Sequence, residues 1–137
     1  MIDQTDRDII KLLESNSKIQ LQEIGSVVHL TGQAVKNRIV RLEKLGVIEG
    51  YTVKVNMAKL GFEMTAFVTV YMNSNNHADF QKFVSANICI SDVHRISGEG
   101  CYLMKVSVAN QQELSDLLDK ILQYGNYKVN LSIGKLK

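Results

Sequence analysis

Residues 30–51, "LTGQAVKNRIVRLEKLGVIEGY", decide how the chain is to be read. Val35, Ile39, Leu42 and Leu45 recur at i, i+4, i+7 and i+10, the spacing of one apolar stripe on a helix. Thr31 suits the cap at its start, and Gly46 suits the position just past its end. The same segment concentrates charge: Lys36, Arg38, Arg41 and Lys44 stand against Glu43 alone. The 137-residue chain carries a net charge of only +2, and residues 1–30 hold three cations against five acids. A basic helix face in a nearly neutral chain is a local footprint, the form that a nucleic-acid contact takes.

Upstream lie two shorter helical patterns. In "DQTDRDIIKLLES", Asp3 is placed to cap, Asp6 falls in the first turn, and Ile9, Ile10 and Leu13 make one apolar face. Leu21, Ile24 and Val28 mark a second helix, and Thr31-Gly32 turns into the third. Three helices, the last two joined tightly, make a helix-turn-helix with residues 32–45 as its recognition helix. With the stripe inward, Gln33, Lys36, Asn37, Val40, Arg41 and Lys44 face outward. Amide side chains can read adenine edges, and Arg or Lys can read guanine or hold phosphate. Gln33 and Asn37 are therefore the expected selective contacts, and Lys36, Arg41 and Lys44 the expected source of affinity. Arg38 lies beside the stripe, and two readings stay open: an ion pair with an acid of its own domain, or a phosphate contact. A merely solvated charged face is the ordinary alternative, and the turn before this helix and the strand pattern after it weigh against that. "VIEGYTVKVN" alternates and predicts an extended strand, with Gly50 turning the chain into it.

From residue 61 the texture changes. "MTAFVTVYM" alternates, "HADFQKFVSAN" is helical, and "CISDVHRIS" and "CYLMKVSV" flank a Gly-Glu-Gly turn. Asn110 and Glu113 resemble a capping box before a Leu-rich helix, "YGNY" turns, and Val129, Leu131 and Ile133 alternate. The order is βαββαβ, a ferredoxin-like antiparallel sheet with both helices on one face. The fold class is α+β. The other face would show Thr65, Phe67, Thr69 and Tyr71, a half-apolar patch that a second copy of the sheet would cover, so a symmetric homodimer is expected. The expected divisions are residues 1–50 for DNA binding, 51–60 as linking strand, and 61–137 as the ferredoxin-like domain for oligomerisation, to which the family resemblance described below adds effector binding.

Several function classes are disfavoured. Cys89 and Cys101 form no C-x-x-C pair, and His29, His77 and His94 are scattered, so neither a metal site nor a cofactor is expected. No phosphate-binding loop and no G-x-S-x-G motif occurs, and no catalytic residue is assigned: the chain is not expected to be an enzyme. No apolar run approaches the roughly 20 residues that span a bilayer. The opening residues are acidic rather than basic, so a soluble cytoplasmic protein is the expectation. In a hairpin turning at Gly98–Gly100, the two cysteines would lie roughly 25 Å apart, too far for a disulfide.

In combination these motifs resemble the Lrp/AsnC family of feast/famine transcription regulators. The matching features are Asp3 and Asp6, "EIG" at Glu23–Gly25, "RIVRLE" at Arg38–Glu43 and "GVIEGY" at Gly46–Tyr51, with "ISGEGCYLMKV" in the second half. The resemblance implies a winged helix-turn-helix on double-stranded DNA, a linking strand, and a ferredoxin-like domain that dimerises and assembles to tetramers or octamers. It also implies a small effector, often an amino acid, near the turn formed by Gly98, Glu99, Gly100, Cys101 and Tyr102. Cys101 stands where the family commonly has an aspartate, which removes a partner for an effector's ammonium. The alternative reading is an architectural protein that bends or wraps DNA with little sequence selectivity.

Overall fold

The computed structural model describes residues 1–98 and 100–137; Glu99 lies outside the described residues. The chain divides into two compact units, Met1–Lys54 and Val55–Lys137.

The first unit contains α1 (Gln4–Ser15), α2 (Leu21–Val28) and α3 (Gly32–Lys44). Asp3 caps α1 through a reciprocal box: its side chain accepts from the Asp6 N–H while the Asp6 carboxylate accepts from the Asp3 N–H. Ile9, Ile24, Val35, Ile39 and Leu42 are buried. The α2–α3 turn depends on Gly25. The Leu30 N–H donates to its carbonyl at 3.0 Å, and a Cβ on Gly25 would sit 2.3 Å from the Leu30 carbonyl oxygen. Thr31 caps α3 by accepting from the Ala34 N–H. Gly46 ends it in the left-handed region at φ 71°, with its own N–H bonded to the Glu43 carbonyl and the Val47 N–H to the Leu42 carbonyl. The apolar stripe closes at Leu42; Leu45 occupies the cap and is more than half exposed.

Residues 51–56 form no strand, and Met57–Leu60 make a 3-10 turn, so the linking strand expected over 51–60 is corrected. Its alternation is real, but a strand needs a ladder, and no described segment of the chain pairs with it.

The second unit runs β1 (Met64–Met72), α4 (His77–Ala86), β2 (Ile90–Arg95), β3 (Tyr102–Val108), α5 (Gln111–Ile121) and β4 (Gly125–Leu131). The antiparallel sheet has the order β2-β3-β1-β4, as the βαββαβ pattern requires. Ala66, Val68, Val70, Tyr102, Met104, Val106 and Val108 meet Phe80, Leu114, Leu117 and Ile121 of the helices. The opposite face carries Phe67, Thr69 and Leu103, with Lys105 and Asp92 beside them in register. Strand β4 begins earlier than its alternation suggests. Gly125 is a ladder residue opposite Met72 rather than part of a turn, and a Cβ there would lie 2.1 Å from the Tyr71 carbonyl oxygen. Cys89 and Cys101 are free thiols.

Candidate nucleic-acid interface

Helix α3 turns about every 3.6 residues. With Val35, Ile39 and Leu42 inward, Gln33, Lys36, Asn37, Val40 and Lys44 share the opposite face, and all five are exposed. Gln33 and Asn37 are joined: Nε2 of Gln33 donates to Oδ1 of Asn37 at 3.0 Å. This bond fixes which way the Asn37 amide points and turns its two N–H donors away from Gln33. No ion pair forms at Lys36 or Lys44 among the described residues. The chain leaving α3 is tied back to it, since the Tyr51 hydroxyl donates to Oε1 of Glu43 at 2.8 Å. Partial burial and that carboxylate push the Tyr51 pKa up.

The remaining two cations are engaged inside the unit. Nη1 of Arg38 donates to Oδ1 and Oδ2 of Asp3 at 2.9 and 2.8 Å and to Oδ1 of Asp6 at 3.0 Å. Arg41 donates from Nη2 to Oδ2 of Asp6 and from Nη1 to the Met1 carbonyl at 3.0 Å. The Asp6 side chain is fully buried. Burial by itself would raise its pKa, but the Asp3 N–H and the two guanidiniums outweigh that and hold it at about 2. Arg38 and then the Asp6 N–H lower the Asp3 carboxyl as well.

In the free chain both arginines are therefore engaged within their own unit. Of the two readings open for Arg38, the structure has the internal ion pair. The Arg41 guanidinium does not stand free: it bridges α3 to the start of α1. The reason is local, since a buried carboxylate must be neutralised and hydrogen-bonded. Read from the sequence, Asp3 and Asp6 belong to the start of α1 and to the family pattern, and neither is matched with a particular arginine. The available signal was the match of two i, i+3 pairs, Asp3/Asp6 and Arg38/Arg41, on helices that must pack together. Gly25 was also missed as a determinant of the helix-turn-helix, although a glycine inside the helical "LQEIGSVV" pattern carried that hint.

The expected effector residues separate. Glu99 lies outside the described residues. Gly98 has φ 94°, and a Cβ on the buried Gly100 would come within 2.4 Å of Cγ2 of Thr69. The Cys101 N–H donates to the Val70 carbonyl at 2.8 Å, and its own carbonyl accepts from the Ile96 N–H at 3.0 Å. Tyr102 is turned into the core of its unit. It pairs with Val70 on the helix-covered side of the sheet, is 3% exposed, and has its ring centroid 4.7 Å from that of Phe80. Its hydroxyl lies 2.7 Å from Nδ1 of His77. Among the described residues no cluster of His, Cys, Asp and Glu could hold a metal ion, and no helix is long and apolar enough to cross a membrane.

Comparison with known proteins places relatives on both units. An AsnC-type helix-turn-helix domain matches residues 2–43, and an Lrp/AsnC ligand binding domain matches residues 65–137. The chain is 47% identical over 136 residues to the HTH-type transcriptional regulator LrpB of Bacillus subtilis, covering 99% of this chain and 91% of that one. It is 35% identical to the regulator LrpA of the same organism, covering 98% of this chain and 100% of that one. The solved structure of B. subtilis LrpC superposes with a TM-score of 0.96 at 25% identity, covering 100% of this chain and 98% of that one. The regulator NMB0573 of Neisseria meningitidis, solved as a complex with L-Met, shares the fold at a TM-score of 0.93 and 20% identity, covering 100% and 93% of the two chains.

Proposed function

The chain belongs to the Lrp/AsnC family of DNA-binding transcriptional regulators, and from that premise we propose how its third helix meets DNA. Helix α3 enters the major groove, with Gln33 and Asn37 reading base edges and Lys36 and Lys44 holding the backbone. The observation that carries this reading is the α3 face itself: two linked amides and two exposed lysines, with both arginines of the helix engaged elsewhere. Binding weakens steeply with salt because phosphate contacts release counterions. Asn37→Ala costs about 1–3 kcal/mol on the preferred site and less on random DNA. A footprint on the DNA upstream of the protein's own coding region, followed by titration of the variant on both DNAs, is the test. Equal losses on the two would remove Asn37 from readout, and protection without any preferred sequence would favour the DNA-wrapping alternative.

The open sheet face of the second unit, with Phe67 and Leu103 exposed, supports self-association through that face. Phe67→Asp should then lower the oligomer size in sedimentation. The effector-binding reading of the 98–102 turn is retained in a restricted form: common amino acids bind there weakly or not at all. Cys101 supplies no carboxylate, and the Tyr102 side chain is committed to the core. Calorimetry with methionine first, then the other amino acids, tests this. A micromolar Kd abolished by mutating the turn would overturn it.

A further inference from the structure

A shallow surface cleft lies between the start of α1 and the middle of α3, lined by Met1, Asp3, Asn37, Arg38 and Arg41. We propose that this cleft is a site for a DNA backbone phosphate, and that Asp3 occupies it in the free protein as a built-in competitor. The inference rests on the reading of α3 as the DNA-facing helix and assigns a role that the charge pattern of that helix does not reveal.

The two acids in contact with the arginines are not equivalent. Asp6 is fully buried, bonded to both guanidiniums and to the Asp3 N–H. Losing both guanidiniums would leave it a buried carboxylate without a counter-charge, so it is fixed. The Asp3 side chain is 52% exposed and meets Arg38 at the surface. A pair of that kind contributes little, because water screens it and competes for both members. A backbone phosphate carries the same charge sign as a carboxylate, and its two non-bridging oxygens can likewise accept two bonds from one guanidinium. It can therefore take the place of the Asp3 carboxylate at Arg38 while Asp6 keeps its bonds.

The bonding of the arginines allows this exchange. All three bonds of Arg38 come from Nη1, and a guanidinium is a five-donor fork. Its Nη2 and Nε donors make no bond among the described residues. Arg41 is anchored at both Nη atoms, to Asp6 and to the Met1 carbonyl, which fixes its plane beside the cleft. Asn37, assigned to base reading, lines the same cleft. A phosphate seated there would lie next to the base-reading amide, so phosphate placement and readout are linked in position.

The consequence is a limit on indiscriminate binding. Residues 31–45 have four cations against one acid, net +3, and Asp3 and Asp6 reduce that to +1. The free protein therefore attracts arbitrary DNA less than its helix sequence suggests. Arg38 gains its phosphate only when α3 docks closely enough for the exchange, and Asp3 then takes up a solution cation that offsets one released from the DNA.

The test is Asp3→Asn in the full chain. Asparagine caps a helix as well as aspartate does, so α1 keeps its start while the charge is removed. Random-sequence duplex should bind several-fold more tightly at low salt. The slope of log K against log salt should steepen by about 1, because the offsetting cation uptake is gone. Preference for the footprinted site over random DNA should narrow. A second variant, Asp3→Asn combined with Arg38→Gln, should lose the gain. An Asp3→Asn protein with unchanged slope and unchanged random-DNA affinity would overturn the inference. So would a gain that survives in the double variant, since that would be general loss of repulsion rather than a site at Arg38. If the unmodified chain bound no DNA at any salt, the reading of α3 would itself fall, an outcome separate from the other two.

Discussion

The two units solve the burial problem by different means. The second unit encloses an apolar layer between one sheet face and two helices, with Phe80 at its centre touching Tyr102 and Tyr124. Its buried side chains include no charged group among the described residues, and polar atoms enter only at Ser107 and the Tyr102 hydroxyl. The first unit has few large apolar side chains to bury, and Tyr51, at its edge, is its only aromatic. It buries a carboxylate in the first turn of α1 and joins α1 to α3 through Asp6, Arg38 and Arg41. Three short helices give a small core, and directional bonds add what area cannot supply: a defined angle between helices. The unit that must present a helix at a fixed angle is the one with the buried ionic network. The unit with an open sheet face has an apolar core with no ion pair among the described residues.

The difference can be broken from either side. Phe80→Ala removes the ring that joins α4 to the sheet and should cost about 3–5 kcal/mol. The loss should appear in tyrosine fluorescence, since four of the five tyrosines are in the second unit, while amide exchange in α1–α3 stays unchanged. A matched loss of protection in both units would mean that they do not unfold separately.

Asp6→Ala should come next, at about 2–3 kcal/mol, confined to the first unit. Its pH dependence distinguishes the network from apolar packing. The folded-state pKa is depressed to about 2, so this stabilisation is fully present above the ordinary carboxylate range and fades as pH falls through the folded value. Acid should therefore loosen α1–α3 between about pH 4 and pH 2, with the unmodified chain approaching the variant as it does. A difference between them that is constant from neutral pH down to pH 2 would show that the carboxylate's charge is not what stabilises. Gly25→Ala follows at roughly 1–3 kcal/mol, because the added carbon meets a backbone carbonyl that cannot swing away. DNA affinity should fall with it, since the turn that orients α3 is forced open.

What the sequence revealed follows the same division. Periodicity reports which face of an element is buried, so Val35, Ile39 and Leu42, and Ala66, Val68 and Val70, were all legible. Caps were legible where a side chain bonds its own helix start, as at Asp3, Thr31 and Asn110. Relations between elements were not. That Arg38 and Arg41 meet Asp6, 32 and 35 residues away, depends on how two helices cross, which no local pattern encodes. The burial of Tyr102 was not legible either, because a turn residue and the first ladder residue are neighbours in sequence yet point to different environments. The 51–56 segment shows the reverse failure: its alternation was legible, but pairing requires a partner that the pattern cannot supply.

Two glycines, one per unit, give the finest comparison. Gly125 is required by space, since its neighbour in the ladder is a carbonyl oxygen that a Cβ would strike. Gly46 is required by conformation alone: it sits at φ 71° with nothing within 4 Å of where a Cβ would be. Gly46→Ala should therefore cost only about 1 kcal/mol, the penalty of a left-handed backbone for a residue with a side chain. Gly46→Asn should cost less, because asparagine tolerates that region. The readout is the exchange protection of the Gly46 and Val47 amides, which close the end of α3 on the Glu43 and Leu42 carbonyls. Fraying confined to those amides in the alanine variant, and reduced in the asparagine variant, is the expected result. Equal losses for the two would mean that the added side chain itself is resisted, and that the open surroundings of Gly46 are closed in solution.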